Sequence, residues 1–81
     1  MELQTLNSGS TGPLVGFLQF VLKRLGFYSG EINYVFDRAT ERAVTSLQSA
    51  LGLYDDGVVG PRSWAAFEPY FTGNYYYTVR A

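Results

Sequence analysis

Residues 15–30 read "VGFLQFVLKRLGFYSG" and residues 44–57 read "VTSLQSALGLYDDG". With a short slack allowed, the second repeats the first: valine, then Leu-Gln, then Leu-Gly-apolar-Tyr, and a turn that ends in glycine. A helix-and-turn unit used twice in so short a chain predicts a small domain of similar helical segments. Leu14, Val15, Leu18, Val21, Leu22 and Leu25 recur at three- and four-residue steps, which defines one apolar helix face. Pro13 suits the first helical position and Gly26 the left-handed position after the end, so the first helix is expected over Pro13–Leu25.

Working outward, Ala43, Val44, Leu47, Ala50 and Leu51 form a second stripe, with Asp37 as cap and Gly52 as stop, which predicts a helix from Arg38 to Leu51. A third starts at Gly60–Pro61 and carries Trp64, Ala65, Phe67 and Phe71, with Pro69 weakening its last turns. The three starts "TGPLV", "FDRAT" and "VGPRS" echo one another. The connection 26–37 is the longest, and "EINYVF" alternates apolar and polar residues, so a β-like bend is expected near 30–36. The expected architecture is all-α: a small three-helix bundle over 13–71, preceded by a polar lead-in at 1–12 and followed by a tail at 72–81.

The bulk properties exclude several classes. The chain has 81 residues, 47% of them hydrophobic and 16% charged, as in a single globular domain. It has no cysteine, so the core alone must hold it. Six basic and seven acidic residues give a net charge of -1, with no basic stripe for nucleic acid. The longest apolar run, "PLVGFLQFVL", falls short of the roughly 20 residues that span a bilayer, so no membrane role is expected. The N-terminus lacks the basic and apolar regions of a signal peptide, so if the domain is exported, either the signal lies upstream in a longer parent or export needs none.

The chain also lacks histidine. Ser–His and Cys–His nucleophile systems and most zinc sites are therefore excluded. Asp55 and Asp56 are adjacent in a turn, whereas glycoside hydrolysis needs two carboxylates about 5–10 Å apart across a cleft. Neither an intrinsic enzyme nor a bound metal or cofactor is expected. A Ca²⁺ site at "YDDG" lacks the alternating acids of a calcium loop. The preferred reading is an Asx-turn with Gly57 at positive φ. Leu18, Leu22, Val44, Leu47 and Trp64 are expected in the core. Gln19 and Gln48, at matching places in the repeat, are expected at its boundary, bonding the backbone of a connecting loop. Tyr28 and Tyr54 also correspond, each expected to pack its ring and leave its hydroxyl wet.

Taken in order, these residues resemble the bacterial peptidoglycan-binding domain, a three-helix module often attached to cell-wall hydrolases. The family pattern has V-x-x-L-Q-x-x-L in helix one, then L-G-apolar-x-x-G. D-G-x-F-G-x-x-T-x-x-A-V-x-x-F-Q follows, and G-L-x-x-D-G-V-V-G-x-x-T-W closes the pattern. The likeness covers about residues 8–67. Asn33–Tyr34 stands where the family has Asp-Gly, Asp37 where it has Gly, Leu47 where it has Phe, and Ser63 where it has Thr. Tyr34 is the departure with consequences, because a ring replaces bare backbone: it either fills a groove or offers a sugar-stacking platform. The tail "YYYTVRA" resembles the opening strand of a LysM domain.

The resemblance implies non-catalytic binding of peptidoglycan, through glycan, stem peptide or both. It implies a monomeric domain within a larger exported chain, at the cell wall or spore cortex. The alternative is a helical protein-interaction or pro-domain module that binds no glycan. Candidate ligand contacts are the loop residues the core does not need: Tyr34, Asp37, Arg38, Arg42, Asp55 and Asp56. Arginines suit stem-peptide carboxylates, and aromatic rings suit the apolar faces of sugars.

Overall fold

A computed structural model describes residues 3–72. Three helices follow in order: α1 Pro13–Arg24, α2 Arg38–Ala50 and α3 Pro61–Thr72. The architecture is all-α; among the described residues the only β features are isolated antiparallel bridges.

Local chemistry sets the helix ends. Pro13 opens α1 after Gly12, which has φ 117 and offers no side-chain cap. Lys23 and Arg24 occupy its last turn, where cations complement the helix dipole. Leu25, expected inside the helix, is instead its C-cap, and Gly26 follows at φ 87. In α2 the Asp37 carboxylate accepts from the Thr40 backbone N–H at 3.0 Å, the expected cap, and Leu51 is again the C-cap. α3 runs through Pro69 to Thr72. The proline removes only the bond it would donate to Ala65, whose surface faces water. Thr72, expected in the tail, closes this helix; the rest of the tail, with its LysM-like run, lies outside the described residues.

One core holds the helices together. Val15, Leu18 and Leu22 of α1 meet Ala43, Val44 and Leu47 of α2 and Trp64 and Phe67 of α3, with Phe36 and Val59 supplied by the two connections. The stretch before α1, expected as a polar lead-in, is part of this body. Leu6 is only 4% exposed and pairs with Val59 through both backbone bonds, at 3.0 and 2.8 Å. Further on, Thr11 bridges Val35, the Phe36 N–H donates to the Ser10 carbonyl at 2.8 Å, and the Gly9 N–H donates to the Phe36 carbonyl at 3.0 Å. The β-like bend expected near 30–36 is therefore half of a pairing with residues 9–12. The segment looked like a lead-in because single apolar residues among polar ones show no period. No helix among the described residues is long and apolar enough to cross a membrane.

Candidate functional site

The repeat in the sequence becomes a repeated hydrogen-bonded clasp. Gln19 is fully buried, and its Nε2 donates to Asn33 Oδ1 (2.9 Å), Thr40 Oγ1 (2.9 Å) and the Val35 carbonyl (3.0 Å). Its Oε1 accepts from the backbone N–H groups of Asn33 (3.1 Å) and Tyr34 (3.0 Å). Gln48, equally buried, does the same for the next connection. Its Nε2 donates to the Val58 carbonyl (2.9 Å) and Ser63 Oγ (3.0 Å), and its Oε1 accepts from Gly57 N–H (3.0 Å). A loop cannot bury its polar backbone without such partners. Each glutamine supplies them from the preceding helix, and no buried side-chain N or O among the described residues is left unpaired.

The loops clasped in this way are also alike. Asn33 Oδ1 accepts from Val35 N–H at 3.1 Å, and Asp56 Oδ1 accepts from Val58 N–H at 2.9 Å: two Asx-turns. Tyr34 at φ 66 and Gly57 at φ 76 follow them at the same position. Asn33–Tyr34 is thus the structural counterpart of Asp56–Gly57, with tyrosine in a backbone state that favours glycine. At Gly57 the choice is also steric, since a Cβ there would meet Glu41 Cγ at 3.1 Å.

The structure sorts the candidate contacts. Asp37 is committed to the fold: it takes both the N–H and the hydroxyl of Thr40, at 3.0 and 2.8 Å, and the Asn33 amide at 3.3 Å. These bonds, the Thr40 backbone N–H first, hold its carboxyl below the usual carboxylate range. Asp56 is committed to its turn in the same way, although both it and Asp55 are exposed. Tyr34 is 53% exposed, its ring laid over α1. Among the described residues no group of three or more carboxylates comes together to hold a metal.

Arg38 and Arg42 are brought together. They line a cleft of about 370 Å³ between α2 and the turn after α1, which contributes Phe27, Tyr28, Ser29 and Gly30. Lys23 fixes the turn by donating from Nζ to the Gly30 carbonyl at 2.6 Å. Arg38 and Arg42 make no ion pair among the described residues. A repeat-related cleft of about 580 Å³ lies between the turn after α2 and the start of α3, lined by Tyr54, Asp56, Pro61, Arg62 and Ser63 among others. Sequence reasoning found the arginines but missed the opposite walls. The recurrence of the Leu-Gly-apolar-Tyr turn was the signal for them. It also missed how far Tyr28 and Tyr54 diverge. Tyr28 is buried, its hydroxyl donating to the Glu31 carbonyl at 2.7 Å, whereas Tyr54 is 83% exposed. The shorter connection after α2 has no segment to cover the second ring.

Two buried glutamines clasping two loops define a small three-helix module whose loops are hydrogen-bonded to its helices. The chain belongs to the putative peptidoglycan binding domain family, whose pattern matches residues 11–67, and it is a peptidoglycan-binding module of that family. It is 40% identical over 65 residues to a spore cortex-lytic enzyme of Halalkalibacterium halodurans, covering 80% of this chain and 20% of the enzyme. Over 62 residues it is 44% identical to the chloroplastic protein disulfide isomerase pTAC5 of Arabidopsis thaliana, covering 73% of this chain and 16% of that protein. The chain thus spans a fifth or less of these relatives. The crystal structure of the SleB N-terminal domain superposes with TM-score 0.77 at 34% identity, covering 79% of this chain and 88% of that one.

Proposed function

We propose that this chain is a non-catalytic anchor that holds a larger protein on murein, outside the cell membrane or in the spore cortex. It raises the parent's local concentration on its polymer, an effect of tethering and not of chemistry. The observation that carries this reading is the commitment of the loop carboxylates. Asp37 caps a helix and Asp56 closes a turn, so neither is offered as an acid or base, while Arg38 and Arg42 face an open cleft without an acidic partner. The cortex-lytic relative supports the wall as the site of action. The LysM-like run in the tail supports a second wall-binding segment beside this one. Tyr34, Arg38, Arg42 and Asp55 are the proposed contacts, and a monomer suffices for them.

The test is co-sedimentation with isolated murein sacculi, with release of soluble muropeptides followed in the same tubes. Binding without release is the expected result; release of fragments would make the domain an enzyme. The chloroplastic relative favours a second reading, a helical protein-docking module without glycan binding. No co-sedimentation at high micromolar protein would select that one.

A further inference from the structure

We infer that the cleft between the 27–30 turn and α2 takes the carboxylates of the peptidoglycan stem peptide, with Arg38 and Arg42 as the charge-bearing pair. The inference rests on the peptidoglycan-binding reading and specifies which part of the polymer is held.

The two arginines are one helical turn apart, on the same side of α2, and both line the cleft. The acid best placed to neutralise them, Glu41, is turned elsewhere. Its Cγ packs toward Gly57 in the other connection, where an added Cβ would sit 3.1 Å from it. Asp37, immediately before Arg38, is held by Thr40 and Asn33. Both guanidiniums therefore keep their full donor capacity for a ligand, and a guanidinium fork matches a carboxylate in bidentate fashion. The opposite wall is firm, because Lys23 pins Gly30 and the Tyr28 hydroxyl pins Glu31.

The second cleft serves as an internal control. It stands at the corresponding place in the repeat, and its lining holds one arginine, Arg62, together with one carboxylate, Asp56. The lining of the first cleft holds two arginines and no carboxylate, and that excess of cationic donors favours an anionic ligand. In peptidoglycan the lactyl carboxyl of the sugar is consumed in the amide to the peptide, so free carboxylates are found on the stem peptide. The glycan backbone offers hydroxyls and acetamides, for which two forked cations give no advantage.

Isothermal titration of the 81-residue chain decides the matter, using a soluble stem peptide with free carboxylates, the same peptide amidated, and an N-acetylglucosamine oligomer. The free-carboxylate peptide should bind most tightly, and added salt should weaken it. Arg38→Ala with Arg42→Ala should cost about tenfold or more, the loss expected for charge-assisted hydrogen bonds. Arg62→Ala should leave binding unchanged. Both cleft side chains are exposed and unpartnered, so circular dichroism should show the double variant folded. Equal affinity for the amidated peptide overturns the inference, as does binding of the oligomer alone. So does a double variant that keeps wild-type affinity, or that sediments with sacculi as well as wild type. A wild-type chain that fails to sediment sinks the underlying reading instead.

Discussion

The ring of Tyr34 lies directly over the α-carbon of Gly16: a Cβ placed on Gly16 would collide with Cδ1 and Cε1 of that ring. A helical glycine and a tyrosine at positive φ thus form one device, each explaining the other's presence. Gly16 costs α1 about 1 kcal/mol of propensity relative to alanine. Tyr34 costs a further ~1–2 kcal/mol for its left-handed backbone. The two costs are offset where the ring covers α1.

The sign of a Gly16→Ala change should therefore depend on residue 34. With Tyr34 present, alanine displaces the ring and should destabilise the domain by about 1–3 kcal/mol, as overpacking does. In a Tyr34→Gly background the obstacle is gone, and the same change should stabilise by about 1 kcal/mol. Urea denaturation of the four proteins gives the coupling energy. Additive effects would show that the ring does not rest on the helix.

The clasps predict unequal penalties. Gln19→Ala strands two loop N–H groups, those of Asn33 and Tyr34, whereas Gln48→Ala strands one, that of Gly57; the Val35 and Val58 carbonyls and the Thr40 and Ser63 hydroxyls keep a second partner. Each stranded buried group costs about 1–3 kcal/mol, less where water enters. Gln48→Ala should therefore cost about 1–3 kcal/mol and Gln19→Ala about twice as much. Equal midpoints in urea would mean that the second amide on the first loop contributes nothing.

Asp37 gives a pH dependence whose direction is fixed. Its carboxyl titrates lower in the folded chain than its ordinary value of 3.8, because Thr40 donates to the ionised form. The folded state then binds fewer protons than the unfolded one. The stabilisation is complete above the unfolded value and disappears as pH falls through the folded value. Asp37→Ala should cost about 1 kcal/mol at pH 7, the usual worth of an N-cap. The gap between variant and wild type should narrow below about pH 4, the ordinary range for aspartate. A gap that is constant with pH would rule out the charged cap.

The helices were legible because their signals are local. Leu18 and Leu22, or Val44 and Leu47, announce a face by spacing, and Asp37 announces a cap by position. The repeat even located both clasps, since Gln19 and Gln48 sit one residue past equivalent leucines. What local signals could not convey was pairing across the chain. Nothing near Leu6 points to Val59, and nothing in "FYSG" says that it forms the wall opposite Arg38 and Arg42. Tyr54 misled for a related reason: its repeat position matches Tyr28, but its environment depends on the length of the connection around it.

The amino-terminal stretch supplies the last prediction. Trp64 is buried, stacked with Phe17 at 6.4 Å between ring centres and edge-on to Phe67 at the same distance. Its indole N–H donates to the Gln4 carbonyl at 2.9 Å, across nearly the whole chain. Two residues later Leu6 enters the core. Leu6→Ala should cost about 2–3 kcal/mol, as for a well-buried leucine at the edge of a core. Deleting residues 1–7 should cost more, because it also frees the Val59 backbone and removes the Gln4 carbonyl from the indole N–H. As the chain's only tryptophan, Trp64 reports this directly. Its emission should shift to the red in the truncated protein and much less in Leu6→Ala. Unchanged emission with an unchanged urea midpoint would return residues 3–7 to the status of a lead-in.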